Sequence, residues 1–588
     1  MTATPSRRLA GFAALVVAVA AVVSAAVPGA NTNAVDPPAG TSKETLVGGK
    51  PLFDSWPKNQ KPDAVIFFSG QTYGFVQPCG CSRPQMGGLE RRAYFVNTLK
   101  AKGWPVAGVD LGDLYPEKAA VEDQSWLKYV ATMNALRDMG YLAVGVGKTE
   151  ISADLMKLIA QYALQKEQRP FTLAANVVGV NGKQLIPRDQ HFPPPGAGKR
   201  PMVEAVEVGE VGKVVVGVAG VVGKALAEEN KTAKWDDRID FPNAKQGITD
   251  ARDALKKHAA KPAVRVLIFQ GPLADAKLVA ADFPEFQVIL CRAEEGAPAP
   301  LQPTVPEKSD TRIIQVGEKG QNIGVLGLFK KPDGSFEFHY QLVPLGEEFV
   351  QPGKDEDAVK ANRSLLALDW YAGEVKRENF LPKYPKRPHV AQIQALALKP
   401  AVKLTYVGSE SCKTCHKAEY EKWEKTPHGH AMDTLEKVAK RPALRQFDGE
   451  CVQCHSVGFH HPSGYTDATK TPYLKHVGCE SCHGPGSGHS AAPRDKELLA
   501  LMSPWKQEGA AKLPDAAFFK KMADTPAIER GKIAQVPAQQ ILVRQVEGVC
   551  MKCHDHEADP NFDIYKNWPK IDHTVPAPKG GGPEKAPK

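Results

Sequence analysis

Four Cys-x-x-Cys-His pentapeptides fall in the last third of the chain: Cys412-Lys-Thr-Cys415-His416, Cys451-Val-Gln-Cys454-His455, Cys479-Glu-Ser-Cys482-His483 and Cys550-Met-Lys-Cys553-His554. Each has the spacing of a c-type haem attachment site, in which two thiols add to the porphyrin vinyl groups and the adjacent histidine ligates the iron. The four copies use eight of the eleven cysteines, too many for coincidence. The sequence therefore predicts four covalently bound haem c groups, held by Cys412, Cys415, His416, Cys451, Cys454, His455, Cys479, Cys482, His483, Cys550, Cys553 and His554. Moving electrons is the work that such a set implies.

A chain of 588 residues is too long for one core, so several domains are expected. Hydrophobic residues make up 42% and charged residues 24%, as in ordinary globular proteins. The formal charge is +9, and anionic haem propionates would reduce it. No Lys/Arg stripe with interleaved aromatics is present, which argues against nucleic-acid binding. Arg7 and Arg8, the apolar run Leu9–Val23 and the small residues Ser24-Ala25-Ala26 have the layout of a secretory signal. The expected location is the periplasm or the outer side of the cell membrane, with no transmembrane segment after cleavage.

The expected domains are a signal peptide at 1–26, a linker at 27–60, an α/β domain at 61–345, a helical and Pro-rich linker at 346–403, a haem domain at 404–575 and a disordered tail at 576–588. In the α/β domain short apolar runs alternate with amphipathic stretches. Strands are expected at Ala64–Phe68, Val106–Asp110, Leu142–Gly147, Lys213–Val222, Arg265–Gln270, Phe286–Cys291, Arg312–Val316 and Ile323–Leu328. Helices are expected at Gly88–Lys102, Gln124–Met139, Ala153–Gln165, Thr249–His258 and, in the connector, Asp357–Arg377. The haem domain has few strand signals and reads as short helices and loops.

Beyond the four motif histidines, the haem domain holds His428, His430, His460, His461, His476, His489, His556 and His573. A second imidazole closes an iron and favours outer-sphere electron transfer, whereas an open position permits ligand chemistry. Some of these histidines are therefore expected to be distal ligands.

Tyr406-Val-Gly-Ser-Glu-Ser-Cys-Lys-Thr-Cys-His416 with Trp423-Glu-Lys-Thr-Pro-His428 resembles the cytochrome c-552/554 type. Val477-Gly-Cys-Glu-Ser-Cys-His-Gly-Pro-Gly-Ser-Gly-His489 and Trp568-Pro-Lys-Ile-Asp-His573 are similar to related multihaem proteins. The resemblance covers about 404–574. It implies closely packed haems, mostly bis-histidine, with His428, His489 and His573 as distal iron ligands and His430 as the alternative to His428. The haem on His455 is the one expected to lack a strong sixth ligand, with His460, His461 or His476 as candidates to fill it. Spacing does not say which distal histidine serves which haem.

Residues 62–345 resemble the calcineurin-like metallophosphoesterase domain of 5′-nucleotidases, on Gly87-Gly88-Leu89-Glu90-Arg91-Arg92, Asp110-Leu-Gly-Asp113, Val144-Gly-Val-Gly-Lys-Thr-Glu150 and Ala175-Asn176-Val177. That implies a β-sandwich flanked by helices. Where the family places metal ligands, this chain reads Gly70-Gln71-Thr72-Tyr73, Gly147-Lys148-Thr149-Glu150, Gln270-Gly271 and Cys291-Arg-Ala-Glu-Glu295. Asp113 alone remains, and Lys148 brings a positive charge. A two-metal hydrolase needs several ligands, so a scaffold without phosphoesterase activity and with no catalytic residues is expected.

Cys79, Cys81 and Cys291 are left over. They form either a thiol site for a soft metal or for redox cycling, or a structural disulfide with a spare thiol. The leading function is a periplasmic multihaem electron carrier that docks redox partner proteins, rather than an enzyme, with a small ligand or soft metal in the N-terminal domain left open. The alternatives are a multihaem oxidoreductase acting on a small nitrogen or sulfur compound at an open haem, and an active phosphoesterase fused to a cytochrome.

Overall fold

The computed structural model describes residues 46–47, 50–78, 84–155, 157–158, 169–179, 203–353, 355–438, 443–502, 512–556 and 558–573. The expected signal peptide, the tail, Cys79, Cys81 and most of the expected helix Ala153–Gln165 lie outside these residues. The chain forms two compact units, Met1–Pro78 with Met86–Leu368, and Cys79–Gln85 with Asp369–Lys588. No helix among the described residues is long and apolar enough to cross a membrane.

The first unit is built on two sheets. In chain order the strands of these two sheets are β1 (Ala64–Ser69), β2 (Val106–Asp110), β3 (Tyr141–Gly145), β4 (Phe171–Leu173), β5 (Val206–Val211), β6 (Val214–Val222), β7 (Val264–Gln270), β8 (Val288–Cys291), β9 (Arg312–Ile314), β10 (Asn322–Lys330) and β11 (Phe336–Pro344). One sheet has the order β11-β10-β1-β2-β3-β4 and the other β9-β8-β7-β6-β5. Strands β1 to β4 run parallel, with β10 antiparallel to β1. Strands β6, β7, β8 and β9 are also parallel.

Side-chain alternation assigns the layers. From β1, Ile66 and Phe68 meet Val216 and Val218 of β6 and Val266 and Ile268 of β7 in one core between the sheets. Val65 and Phe67 point the other way, onto Phe95, Val96 and Leu99 of the helix Leu89–Ala101 and Met133 and Leu136 of the helix Glu122–Met139. The second sheet sends Leu267, Phe269 and Ile289 against Ile248, Ala251 and Leu255 of the helix Ala244–Lys257 and Ala276 and Ala280 of Leu273–Asp282. Strands covered on both faces read as unbroken apolar runs, which is why Ala64-Val-Ile-Phe-Phe stands out in the sequence. The unit is thus α/β/β/α, a helix-flanked sandwich as expected. Two aromatic residues of the expected 27–60 linker join the core, since Phe53 and Trp56 pack against Trp104 and Phe329.

The second unit is helical and irregular, and its described apolar clusters are small, such as Ala391, Ala395, Leu404 and Leu498, or Phe519, Val543 and Ile564. The expected connector helix Asp357–Arg377 is two helices, Glu356–Ala361 and Ser364–Glu378. The Pro-rich stretch is folded into this unit. Lys386 donates to the carbonyls of Phe459 (2.8 Å) and Tyr465 (2.9 Å), and the Tyr384 ring packs on Phe459.

Candidate metal centres

The four motif segments lie close together in the second unit. Cys412 and Cys479 face each other, as do Cys454 and Cys553. Cys482 is within electrostatic reach of Cys550 and Cys553. These neighbours link the motif segments in a row, in the order His416, His483, His554, His455. Buried Glu480, from inside the third motif, ties this row to the segment before the first. Its carboxylate accepts the backbone N–H groups of Val407, Gly408 (2.7 Å) and Gly486 (2.7 Å), and Ser409 Oγ accepts that of Cys479 at 3.1 Å.

Each of three motif histidines has another imidazole across from it. His416 faces His489 with ring centroids 6.2 Å apart, His554 faces His428 at 6.1 Å, and His483 faces His573 at 6.1 Å. Two imidazoles bound to one metal through bonds of about 2 Å each put their ring centres about 6 Å apart, so these spacings suit an iron between each pair. The hydrogen bonds agree. Nδ1 of His483 meets the carbonyl of Met502 at 2.9 Å, Nδ1 of His554 meets Asp559 Oδ2 at 2.7 Å, and Nδ1 of His455 meets the carbonyl of Ala431 at 2.5 Å. An outer acceptor on Nδ1 fixes the tautomer and leaves Nε2 free for a metal. Nδ1 of His489 is buried with no hydrogen-bond partner, as befits a lone pair turned toward an iron. The donor set fits haem c.

Local contacts place the three facing rings. Trp423 Nε1 donates to the Val477 carbonyl at 2.8 Å, and the Val477 N–H donates to the His428 carbonyl at 3.1 Å. These bonds hold the His428 turn against the third motif. Burial, with His554 and His455 nearby, pushes His428 down to about 4, so it is neutral and free to ligate. His489 sits on the helix Ser487–Ala491, whose Ser487 Oγ accepts from Thr405 N at 2.8 Å. His573 follows the helix Ile564–Ile571, with Nδ1 near the Ile571 carbonyl at 3.1 Å.

His455 has no such partner ring among the described residues. His476 Nδ1 accepts from the Met432 N–H, and His430 lies 3.7 Å from Asp433 Oδ2. Both belong to the stretch behind His455, because Ala431 accepts from its Nδ1. His460 Nε2 bonds Gln453 Oε1 at 3.0 Å, and His461 Nδ1 bonds the Arg387 carbonyl at 2.8 Å. His556 is exposed. His389 went unnoticed in the sequence, lying outside the expected haem domain. It caps the helix Val390–Leu396 and packs on His461.

In the first unit, the loops after the parallel strands converge around Asp113. Gln71 accepts from Ala293 N at 2.7 Å and donates to its carbonyl at 3.3 Å. Asn176 is bound on both sides by the Val222 backbone, at 2.9 and 2.8 Å, and also donates to the Pro242 carbonyl. Gln270 donates to the Leu111 carbonyl. Glu150 accepts four backbone N–H groups, from Asp113, Leu114, Tyr115 and Gly147. Asp113 takes the Thr149 N–H at 2.9 Å, and its Oδ2 lies 3.9 Å from Arg292 Nε. Gly147 permits this approach, since a Cβ there would fall 2.4 Å from Asp113 Cγ. Burial raises the Asp113 carboxyl, with Arg292 working against it.

The cation paired with Asp113 is therefore Arg292. Lys148, read from the sequence as bringing charge to this place, binds Glu229 at 2.6 Å and lies over the Trp235 ring. The residues do not fit a two-metal centre, and no group of three or more His, Cys, Asp or Glu side chains suited to a metal occurs among the described residues. Cys291 ends β8 inside an apolar cluster, where burial pushes its thiol up to about 12.

Residues 411–484 match the family described as cytochrome c554 and c-prime, a span holding three of the four motifs. The chain is 40% identical over 91 residues to cytochrome c-554 of Nitrosomonas europaea, covering 14% of this chain and 39% of that protein. It thus spans well under half the length of the curated relative it matches. The solved reduced cytochrome c554 from Nitrosomonas europaea aligns at 28% identity and a TM-score of 0.17, covering 30% of this chain and 80% of that one. The structural neighbours of the N-terminal part are 5′-nucleotidases and calcineurin-like phosphoesterases. They include a 5′-nucleotidase precursor from Thermus thermophilus (19% identity, TM-score 0.40, 53% of this chain and 59% of that one). Another is the calcineurin-like phosphoesterase YfkN from Bacillus subtilis (15%, 0.39, 52% and 98%). A c-type cytochrome carries its haem covalently through Cys-x-x-Cys-His.

Proposed function

We propose that this chain is an exported multihaem cytochrome that transfers electrons through four covalent haem c groups to partner proteins. The observation that carries the reading is the set of three facing histidine pairs at 6.1 to 6.2 Å. His416 with His489, His554 with His428 and His483 with His573 would be the axial pairs, and His455 the fourth proximal ligand. Bound there, haem c supplies one-electron chemistry without bond making. The polypeptide would anchor the groups, bracket three irons and hold the outer nitrogens of His455, His483 and His554 by hydrogen bonds. The contiguous row of attachment segments suits charge passing from one site to the next.

A second reading is favoured at one site only. His455 has no opposing imidazole among the described residues, so its iron would be open to a small nitrogen or sulfur compound. The first unit is proposed to be a phosphoesterase-type scaffold that no longer hydrolyses. Its support is that Gln71, Asn176, Gln270 and Glu150 are each committed to backbone groups and that Asp113 faces Arg292.

The test is the mature protein, purified from a host with an intact cytochrome maturation system. Its intact mass should exceed the polypeptide by four haems, and its ferric spectrum should be mainly low-spin with one high-spin component. A colourless protein whose motif thiols alkylate freely would defeat the proposal.

A further inference from the structure

The outer hydrogen bonds of the proximal histidines are not alike. Nδ1 of His455 and of His483 each meets a neutral backbone carbonyl, of Ala431 and Met502, and the His416 ring has no hydrogen-bond partner among the described residues. Nδ1 of His554 meets a carboxylate, Asp559 Oδ2, at 2.7 Å. Asp559 is 6% exposed, and its other oxygen, Oδ1, is buried with no hydrogen-bond partner. The charge is thus directed at the imidazole. The turn that carries it is closed by Asp559 N to the Asp555 carbonyl at 2.8 Å and Phe562 N to the Asp559 carbonyl at 3.1 Å. Phe562 stacks on the His554 ring at 4.8 Å, shielding the pair.

We infer that Asp559 is a positioning residue that makes the haem on His554 the lowest-potential of the four. A carboxylate accepting from Nδ1–H raises the basicity of the ligating nitrogen. A negative charge in a dry site also favours the ferric iron, which carries one more positive charge than the ferrous. Backbone carbonyls do the first weakly and the second hardly at all. The inference rests on the proposed attachment of a haem at Cys550 and Cys553.

The experiment is a redox titration of the purified holoprotein followed by EPR, on wild type, Asp559→Asn and Asp559→Glu, each with its intact mass. In Asp559→Asn one couple, the lowest of wild type, should move upward while the others stay, and the low-spin ferric signal of that haem should shift. Asp559→Glu should keep the low couple. In a separate variant, His428→Ala, the low-spin signal lost should be the one that is reduced last in wild type, a check that holds even if the Asp559 variants fold poorly. Four attached haems with unmoved couples in Asp559→Asn would overturn the inference and leave the electron-transfer reading standing. So would loss of an early-reducing signal in His428→Ala. A wild-type mass lacking a haem at Cys550 and Cys553 would instead overturn the reading beneath it.

Discussion

The ring of His428 lies opposite that of His554, centroids 6.1 Å apart and planes inclined at 44°. His428 belongs to the short turn Pro427–His430 after the first motif, and His554 to the last motif. The neighbouring His430 turns instead toward Asp433 and His476.

Replacing His428, His489 or His573 singly by alanine should therefore open one iron each, converting one low-spin signal to high-spin while the mass still counts four haems. His430→Ala and His460→Ala should leave spin states as in wild type. EPR on the ferric proteins reads both outcomes, and a spin change in His430→Ala would reassign the distal ligand.

The His455 site should take up an exogenous ligand. Carbon monoxide added to the fully reduced protein should bind at about one haem in four, and the other three should stay inert. Optical titration counts the equivalents, and His455→Ala should disturb that component first.

Hydrolysis should be undetectable. Nucleotides and p-nitrophenyl phosphate, with added Mn²⁺ or Zn²⁺, should release no phosphate above the buffer rate. Arg292→Ala should not restore activity, because Gln71 and Asn176 supply no metal-binding charge and Glu150 is spent on backbone. Metal-dependent turnover in wild type would refute the non-hydrolytic assignment.

Glu150 ties the loop after β2 to the loop after β3. Glu150→Gln places an amide N–H₂ against backbone donors and should cost about 2–3 kcal/mol of stability, measured by denaturant unfolding. Burial and the neighbouring Asp113 raise the Glu150 carboxyl from 4.5 to about 7. The folded state then holds a proton that the unfolded chain releases earlier. This group's contribution is fullest below about pH 4.5 and is lost as the pH climbs through 7. Glu150→Gln should flatten that part of the pH profile, and an unchanged slope would assign it elsewhere.

The sheets were legible where strands are covered on both faces. Ala64–Ser69 and Val106–Asp110 announce themselves by unbroken apolar runs. Edge strands Val206–Val211 and Phe336–Pro344 alternate with charged residues and were missed. The motif histidines follow directly on their cysteine pairs, so spacing alone singles them out. The pairing of His416 with His489 is set by tertiary contacts such as Ser487 with Thr405, which no spacing encodes. Asp559 and Glu480 look like surface acids in the sequence, and only burial reveals their partners. Lys148 misled for a related reason. Charge is visible in a sequence, but the direction of a side chain is not, and here Arg292 reaches Asp113 while Lys148 takes Glu229.

The three facing pairs, 416 with 489, 428 with 554 and 483 with 573, interlace along the chain, none nested within another. A single nick in the loop between Gly484 and Gly488 would separate the two members of every pair at once. With these as the axial pairs proposed above, the region should resist division into smaller haem-bearing fragments, and its coordination should assemble and come apart as a single cooperative event.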